Sequence, residues 1–325
     1  MAAKFTLIQT AVGSPPAAGL IILLRAKGVR VIGTDCNPLS SGLYLSSKGY
    51  VVPDASDPMY LEEMLSICDT ERPRILISGP EEETLTLSKN RTLFGERDIV
   101  LLCPDYVTVS TFADKIKTNE SFTRFGIATP GIYEPDKARF PCILKPRFGR
   151  GGRQVFKVTN REELKTLIGR VNDPIVQEYV DGEEYSVDTF ADMEANPLSV
   201  VPRIRLGVES GVSVKGMTVR DEQIIRTCEK MVKGFKLTGP ACVQCIKHDG
   251  ELKFTEVNTR FGGGSILSMR ADPSIVANII RLGRGETPIR SKGFKAGLVM
   301  LRYYSEVYVS DRQVKKGLVK KGKIL

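Results

Sequence analysis

Short apolar runs alternate with amphipathic segments along the first hundred residues. The apolar runs are KFTLIQTA, VRVIGTD, RILISGP and IVLLCP, and between them PAAGLIILLRAKG, PMYLEEMLSICDTE and ETLTLSKNRTLF repeat apolar residues at helical spacing. Strand-like and helix-like segments that alternate in this way are typical of βαβ units with a parallel sheet. The pattern predicts a Rossmann-like α/β domain over residues 1–110.

The pattern changes at about residue 111. One helix is predicted in TFADKIKTNESFTRFGIATP, ended by Gly126 and Pro130. Strand-like runs follow in PCILKP, RQVFKV, IVQEYVDGEEYSVDTFAD, LSVVPRIRLGV and the hairpin candidate ACVQCIKHDGELKFTEVNTRFGGG, with helices at 220–235 and around DPSIVANIIRLGRG. These runs read as antiparallel, and we predict an α+β domain over residues 111–310.

Composition argues against disorder and against a membrane protein. The 325 residues are 42% hydrophobic and 26% charged, which is ordinary for a globular protein. The amino terminus has no secretory signal pattern, and no apolar window approaches the length that spans a bilayer. We therefore expect a cytoplasmic protein with no membrane partner.

The net charge of +9 is concentrated at the carboxyl end. Residues 311–325, DRQVKKGLVKKGKIL, contribute +5 and leave only +4 for the other 310 residues. The cations of this tail are Arg312, Lys315, Lys316, Lys320, Lys321 and Lys323. A charge spread so thinly, without interleaved aromatic residues, is unlike a nucleic-acid-binding stripe. We expect no nucleic-acid partner and a solvated basic tail.

Seven cysteines, an odd number mostly within apolar runs, favour reduced thiols in a core over a disulfide framework. Cys242 and Cys245 form a Cys-x-x-Cys, but no second pair follows and His248 is the only histidine. A metal or redox role there is disfavoured, and His248 is predicted to lie on the surface of a turn.

The stretch CILKPRFGRGGRQVFKV, residues 142–158, has the features of a phosphate-binding loop, although Gly-x-x-x-x-Gly-Lys-Ser/Thr is absent. Glycine tolerates positive φ angles that turn successive N–H groups toward an anion. Lys145 lies near a strand end between apolar neighbours, where a cation needs an anionic partner. Without Lys145, a plain glycine-rich hairpin turn would be the simpler interpretation.

A second stretch, LKFTEVNTRFGGGS, places polar oxygens on one strand face. Phe254, Glu256 and Asn258 share that face, and Arg260 lies one step further along it. A carboxylate and an amide oxygen on a rigid strand suit Mg²⁺. Taken alone, the stretch is equally compatible with a solvated strand end.

These motifs occur in a fixed order: Lys145 with its glycine-rich loop, then IVQEYVDGEE, then ELKFTEVNTR, all after a Rossmann-like half. In this order they resemble the ATP-grasp superfamily, and most of all one synthetase half of the carbamoyl phosphate synthetase large chain. The resemblance covers nearly the whole chain. It implies a Rossmann-like pre-ATP-grasp domain followed by a two-subdomain ATP-grasp fold, with a hinge near residues 177–181.

The resemblance also implies roles for individual residues. Lys115 and Lys145 would hold the nucleotide phosphates under a lid formed by residues 149–153, which include Gly149, Gly151 and Gly152. The adenine edge would be read at the hinge by Gln177, Glu178 and Val180, and the ribose by Glu184. The metal set would be Gln244, Glu256 and Asn258, with Arg260 beside the transferred phosphoryl group.

Gln244 distinguishes branches of the superfamily, because many members have Asp or Glu there and the carbamoyl phosphate synthetase branch has Gln. Its place in the site depends on the hairpin register. A strict two-residue turn at Asp249-Gly250 would set Gln244 opposite Thr255. A three-residue loop, or one bulge, would set it opposite Glu256, and this second arrangement is our prediction.

The implied cofactors are ATP and Mg²⁺, with Mn²⁺ as a substitute, and the implied reaction activates a carboxylate as an acyl phosphate for attack by an amine. Both substrates would be small molecules, and a homodimer is a family-level expectation. The chain corresponds to one synthetase half, so a stand-alone carboxylate–amine ligase acting on an amino acid or small peptide is expected rather than carbamoyl phosphate synthesis.

The substrate site is less clear from sequence. Arg203 and Arg205 share one face of VPRIRLGV and suit a substrate carboxylate, with Lys215 following a turn. A charged face of an exposed strand is the alternative. In the first domain, Gly13, Ser14 and Asp35 lie at strand ends, where α/β sheets bind ligands.

Two other function classes stay open. A nicotinamide-dependent oxidoreductase would place Asp35 on a ribose, but AVGSPPAAG lacks Gly-x-Gly-x-x-Gly and its prolines remove amides that would bind a pyrophosphate. A non-catalytic ATP-binding regulator is the other alternative, because a fold does not by itself establish a function. The presence of Lys145, Glu256, Asn258 and Arg260 favours an enzyme.

Overall fold

The computed structural model describes residues 5–149, 151–209, 211–314 and 323–324, the last two by their backbone alone. Three β-sheets organise this part of the chain. The first is a parallel sheet near the amino terminus, and the other two are antiparallel. This arrangement confirms the predicted fold class.

The parallel sheet is built from the predicted apolar runs. Its parallel strands are β1 (Thr6–Gln9), β2 (Arg30–Asp35), β3 (Lys48–Val51), β4 (Ile75–Ile77) and β5 (Val100–Leu101), in the order 3-2-1-4-5, and a short antiparallel strand follows β3 at the edge. The helices between them are α1 (Ala17–Ala26), α2 (Ser41–Leu45), α3 (Tyr60–Glu71), α4 (Glu81–Lys89) and α5 (Arg91–Gly95). The strand order reverses between β1 and β4, and open α/β sheets bind ligands at such a switch point.

Two further helices, α6 (Tyr106–Ala113) and α7 (Lys115–Arg124), stand where the sequence predicted one. Asp114 separates them: its backbone is extended, and its carboxylate accepts hydrogen bonds from the N–H groups of Ile116 and Lys117. An Asp side chain that accepts hydrogen bonds from the N–H groups two and three residues later is a favourable N-cap, so a new helix begins after Asp114. The single predicted helix at 83–94 is likewise divided, at Asn90.

The four-stranded sheet carries the glycine-rich loop. Its strands are β6 (Ile132–Tyr133), β7 (Cys142–Pro146), β8 (Phe156–Val158) and β9 (Pro174–Glu178), in the order 6-9-7-8. Helix α8 (Arg161–Ile168) packs on it through Leu164, against Leu144 and Val158. The glycine-rich loop therefore connects β7 and β8, as predicted.

The second antiparallel sheet has six strands in the order 14-13-10-11-12-15. They are β10 (Glu183–Ala191), β11 (Pro197–Glu209), β12 (Val212–Thr218), β13 (Gly239–His248), β14 (Glu251–Asn258) and β15 (Val299–Leu301). Helix α9 (Glu222–Gly234) packs on one face through Ile224, Cys228 and Met231. Helices α10 (Ser265–Ala271) and α11 (Ser274–Gly283) join a core that includes Phe5 and Leu7 of the first domain.

The described end of the tail is not free. Strand β16 (Lys323–Ile324) pairs antiparallel with β3, opposite Tyr50 and Gly49. The predicted solvated tail is therefore wrong for these two residues, because their backbone groups complete a sheet edge. Lys315, Lys316, Lys320 and Lys321 lie outside the described residues. No helix within the described residues is long and apolar enough to cross a membrane.

Candidate active site

A cavity of about 860 Å³ lies among the three sheets. Its walls include the ends of β1 and β4 at Gln9, Thr10 and Ser78, so it opens at the switch point of the parallel sheet. The residues to which the resemblance gave roles in nucleotide or metal binding line it, together with the two arginines of β11: Lys115, Lys145, Gly149, Gly151, Gly152, Gln177, Glu178, Val180, Glu184, Arg203, Arg205, Gln244, Glu256, Asn258 and Arg260. Segments more than a hundred residues apart in sequence thus meet around one space.

Lys145 projects from β7 into this cavity. Burial lowers the pKa of its ammonium to about 8, although the nearby Glu256 carboxylate favours the charged form; Lys115 adds repulsion. The ammonium group of Lys145 makes no hydrogen bond or ion pair with any residue that the structure describes, although its backbone pairs with Ile175 of β9. A half-buried cation without a paired anion is suited to binding a phosphate.

Lys115, the first residue of α7, connects that helix to the glycine-rich loop. Its Nζ donates hydrogen bonds to the carbonyl oxygens of Gly149, at 2.9 Å, and Arg147, at 3.4 Å. Arg147 in turn forms a two-point ion pair with Asp114, the residue that begins α7. The start of the loop is therefore held by the same helix end that presents Lys115.

The loop itself uses glycine where its backbone requires it. Gly149, Gly151 and Gly152 have φ angles of 119°, 72° and 67°, which L-residues with side chains rarely adopt. Gly151 also contacts the turn between β11 and β12, where a Cβ on Gly211 would lie 2.5 Å from the Gly151 carbonyl carbon. The loop thus reaches across the cavity from the four-stranded to the six-stranded sheet. Arg150 lies outside the described residues.

At the end of β9, the side chains of the predicted hinge already have protein partners. The Glu178 carboxylate accepts hydrogen bonds from Gly131 N, at 3.0 Å, and from Lys253 Nζ. Burial opposes ionisation of Glu178, but these hydrogen bonds outweigh it and lower its pKa. Gln177 donates to the carbonyl of Pro130 at 3.2 Å. The side chains of Gln177 and Glu178 are therefore both engaged in hydrogen bonds within the protein.

Glu184 and Arg205 face each other across β10 and β11. The Arg205 NH1 lies 2.9 Å from Glu184 Oε2, and its NH2 donates to the carbonyl of Gly211 at 3.1 Å. Arg205 is therefore committed to Glu184 and to the turn that contacts the glycine-rich loop. The sequence analysis assigned Arg205, with Arg203, to a substrate carboxylate. The ion pair with Glu184 and the hydrogen bond to Gly211 indicate instead that Arg205 stabilises this part of the cavity wall.

The hairpin register of β13 and β14 is as predicted. Gln244 pairs with Glu256, and the register shifts by a bulge between Gln244 and Cys245. Asp249 and Gly250, with φ angles of 46° and 85°, form the two-residue turn, so the bulge and not a longer loop corrects the register. Gln244 and Glu256 thus share the cavity face.

Glu256, Asn258 and Arg260 form a chain of hydrogen bonds along β14. Asn258 Nδ2 donates to Glu256 Oε1 at 2.8 Å, and Arg260 NH2 donates to Asn258 Oδ1 at 3.1 Å. No group of three or more His, Cys, Asp or Glu residues that could hold a metal occurs among the described residues. Any divalent cation here would depend on Glu256, two amide oxygens and groups of its ligand.

One acidic residue near the site was missed by the sequence analysis. Glu81 begins α4, and burial together with the charge of Glu256 raises its pKa to about 7, against the influence of Lys115 and Arg260. The run Glu81-Glu82-Glu83 reads in sequence as an acidic first turn of a helix. Only the meeting of β4 with β14 across the cavity brings Glu81 near Glu256.

Arg203 is fully buried at the cavity wall. Its Nε donates to Asp188 Oδ2 at 2.7 Å, and Ser268 Oγ donates to the same oxygen at 2.6 Å. The terminal NH1 and the Asp188 Oδ1 have no hydrogen-bond partner among the described residues. The alternative of an exposed charged strand is therefore wrong for Arg203.

Three other expectations fail or change. Asp35 is buried and accepts hydrogen bonds from the N–H groups of Gly13 and Asn37, so it holds the loop after β1 and does not line the cavity. Ser14 does line it, whereas Gly13 and Lys215 do not. Asp35 ends β2, which lies away from the switch point between β1 and β4, and this position explains why Asp35 does not reach the cavity.

The cysteine pair behaves as expected from the sequence. Burial raises the pKa of both Cys242 and Cys245 to about 12, which agrees with packing rather than redox chemistry.

Comparison with known proteins agrees with this geometry. Residues 112–264 match the family of ATP-grasp domains, and residues 20–102 match the PylC-like N-terminal domain. The chain is 26% identical over 268 residues to a carbamoyl phosphate synthase large chain of Clostridium beijerinckii, covering 73% of this chain and 24% of that one. It is 28% identical over 162 residues to a D-alanine–D-alanine ligase of Fusobacterium nucleatum, covering 46% and 56%.

Among solved structures, the biotin carboxylase domain dimer of Hydrogenobacter thermophilus 2-oxoglutarate carboxylase has the same fold. Its TM-score is 0.70 at 16% identity, over 91% of this chain and 74% of that one, and it was crystallised with MgADP, ADP and bicarbonate. This chain spans about a quarter of the length of the carbamoyl phosphate synthase large chains it matches.

The chain therefore contains an ATP-grasp domain preceded by a PylC-like N-terminal domain, which confirms the resemblance inferred from sequence. One of these relatives is named a carbamoyl phosphate synthase large chain and the other a ligase, which are the kinds of protein that the resemblance implied.

Proposed function

We propose that this ATP-grasp protein is a ligase that phosphorylates a substrate carboxylate with ATP and lets an amine displace the phosphate. The observation that carries the proposal is Lys145, a half-buried ammonium with no paired anion among the described residues, beside Glu256 in a cavity that also holds Lys115 and Arg260. Buried positive charge of this kind suits a triphosphate. The products would be ADP, phosphate and an amide.

The nucleotide would lie between the two antiparallel sheets. Lys115 and Lys145 would contact its phosphates, and the glycine-rich loop at Gly149, Gly151 and Gly152 would cover them. The connection between β9 and β10, at Val180, would read the adenine edge through the backbone. Glu184 would accept hydrogen bonds from the ribose hydroxyls while it stays paired with Arg205.

A magnesium ion, or Mn²⁺, fits the donor set at β13 and β14. Gln244, Glu256 and Asn258 share the cavity face and offer oxygen ligands, which hard divalent cations prefer. When bound, the ion would neutralise developing charge on the phosphates. With Glu256 as the only carboxylate of the set, tight metal binding would require the nucleotide phosphates as further ligands.

The residues of this chain mainly need to position the reactants, because phosphoryl transfer demands little covalent chemistry from the protein. One oxygen of the substrate carboxylate attacks the γ-phosphorus, the bond to the β-phosphate oxygen breaks, and ADP leaves. Arg260 would donate to the transferred group, being held in place by Asn258 and the Phe261 carbonyl. The amine then attacks the acyl carbon, phosphate leaves, and the amine loses its proton.

An acyl phosphate must be protected from water until the amine arrives. The contact between Gly151 and Gly211 supports this step, because it joins the loop to the far wall of the cavity. Closure of such a loop over a bound nucleotide would exclude water from the reacting carbon.

The proposal is tested by incubating the purified protein with Mg-ATP and pooled amino acids, with and without bicarbonate. Amino-acid-dependent release of ADP and phosphate, followed by chromatography, is the expected result, and dividing the pool identifies the substrate. ATP-dependent stabilisation without turnover in any pool would favour a non-catalytic regulator. Stabilisation by NADH and not by ATP would contradict the proposal and favour an oxidoreductase.

The proposal includes small-molecule substrates, a cytoplasmic location and a homodimer. The dimer rests on a single neighbour, the biotin carboxylase domain dimer. Size-exclusion chromatography with light scattering tests it, and a mass of 35.8 kDa at micromolar concentration would show a monomer.

A further inference from the structure

Arg203 and Glu256 lie at opposite ends of one row across the six-stranded sheet. In the strand register, Arg203 pairs with Ser186, Ser186 with Gln244, and Gln244 with Glu256. Each step between neighbouring strands is about 4.8 Å, so the backbones of Arg203 and Glu256 are about 14 Å apart. Both side chains line the same cavity.

Asp188 fixes the guanidinium of Arg203 through its Nε atom and leaves the terminal nitrogens without a hydrogen-bond acceptor among the described residues. The two terminal nitrogens form the edge that binds a carboxylate at two points. A buried donor without a partner is costly, which suggests that it serves a ligand.

The segment above this edge has no side chains. Gly262, Gly263 and Gly264 all line the cavity, and none has a positive φ angle, so their backbone conformation does not require glycine. A Cβ on Gly264 would overlap Arg203 NH1, and a Cβ on Gly262 would lie 3.2 Å from Asp188 Oδ1. Glycine is therefore needed here for the close approach of the backbone to Arg203 and Asp188.

Charge around the cavity favours an anion there. Six cations line it, Lys115, Lys145, Arg153, Arg203, Arg205 and Arg260, against the three carboxylates of Glu178, Glu184 and Glu256. Glu178 is paired with Lys253 and Glu184 with Arg205, and Glu256 lies in the proposed metal set. The described lining therefore offers no spare carboxylate for a substrate ammonium group.

We propose that Arg203 binds a carboxylate that does not react: a second acidic group on one of the two organic substrates, separate from the one that is phosphorylated. The inference rests on the proposed ligase function, which places the reacting carboxylate near Glu256 and Arg260. A single carboxylate cannot lie at both ends of the row. The acidic group belongs either to the acid, as in a dicarboxylate, or to the amine, as in an amino acid.

The test measures the melting temperature of the full chain with Mg-ADP and paired probes. The probes are succinate and glutarate with their monoamides, and the standard L-amino acids with their α-carboxamides. We expect at least one carboxylate to stabilise the protein more than its amide. A dicarboxylate response assigns the group to the acid, and an amino-acid response assigns it to the amine.

Variants then locate the effect. Arg203→Lys keeps the charge but loses the two-point edge, and Gly264→Ala places a methyl group against NH1; each should abolish the difference between carboxylate and amide. Gly263→Ala is the matched control, because its Cβ meets Val212 at 3.0 Å and not the guanidinium, and it should keep the difference.

The outcomes separate the two proposals. If ADP stabilises the protein but no carboxylate exceeds its amide, or if Arg203→Lys keeps the full difference, the role of Arg203 is refuted and the nucleotide site stands. If ADP itself has no effect on the unaltered protein, the proposed function fails.

Discussion

Replacing Lys145 with Met should stabilise the protein while it removes nucleotide binding. The pKa of Lys145 falls from 10.5 to about 8 because burial disfavours its charge more than Glu256 favours it. A shift of this size corresponds to about 3 kcal/mol at 1.36 kcal/mol per pH unit. This is an upper limit, since water entry and relaxation of the site reduce the penalty.

The sign of the effect sets its pH dependence. Below pH 8, Lys145 is charged in both states and the folded protein bears the whole penalty. Between pH 8 and 10.5 the unfolded chain binds more protons, so stability rises with pH and the penalty disappears. The gain from Lys145→Met should therefore be largest at pH 7, of order 5 °C in melting temperature, and vanish near pH 10.5.

Differential scanning fluorimetry between pH 6.5 and 10.5, with and without Mg-ADP, measures both effects. Lys230→Met, at an exposed position of α9, is the control and should change neither. A lower melting temperature for Lys145→Met at pH 7 would refute the burial argument, as would a gain that does not shrink with pH. An unchanged response to Mg-ADP would remove Lys145 from the nucleotide site.

Three further predictions concern other parts of the molecule. Burial opposes ionisation of Glu71, but hydrogen bonds from Lys48, Tyr50 and Arg30 lower its pKa to about 2. The stabilising contribution of the ionised carboxylate is therefore complete above pH 4.5 and is lost as the pH falls toward 2. The Glu71→Gln variant should lack this loss of stability between pH 4.5 and 2 in an acid-unfolding experiment. Gly152→Val should reduce turnover more than ADP affinity, because a φ of 67° disfavours valine in the loop; equal losses would indicate a folding defect. Gln244→Glu adds a second carboxylate opposite Glu256 and should tighten Mn²⁺ binding without nucleotide in titration calorimetry; unchanged affinity would remove Gln244 from the metal set.

Local patterns in the sequence predicted most of the fold. The apolar runs of the first domain, the β7–β8 hairpin and the α9 helix all follow from periodicity. The α6–α7 break at Asp114 was missed because a lone Asp in an amphipathic stretch is compatible with one continuous helix. The α2–β3 unit was missed because SGLYL and KGYV are too short for a periodic signal.

The candidate site also contains features that the sequence predicted and features that it could not predict. Motif order brought Lys145, Glu256 and Asn258 together, and the register argument placed Gln244 opposite Glu256. The partners of Arg203 and Arg205 could not be predicted, since Asp188 and Glu184 meet them only through pairing of β10 with β11. The proximity of Glu81 to Glu256 could not be predicted either, because it depends on the packing of the first domain against the second.

The transfer of oxygen from the substrate tests the proposed acyl phosphate most directly. The carboxylate of the acid identified in the pooled assay would be labelled with ¹⁸O, and the phosphate released with Mg-ATP and the amine analysed by mass spectrometry. An acyl phosphate intermediate predicts that each phosphate carries one oxygen from the carboxylate. Unlabelled phosphate, or release of pyrophosphate and labelled AMP in place of ADP and phosphate, would contradict the proposed mechanism.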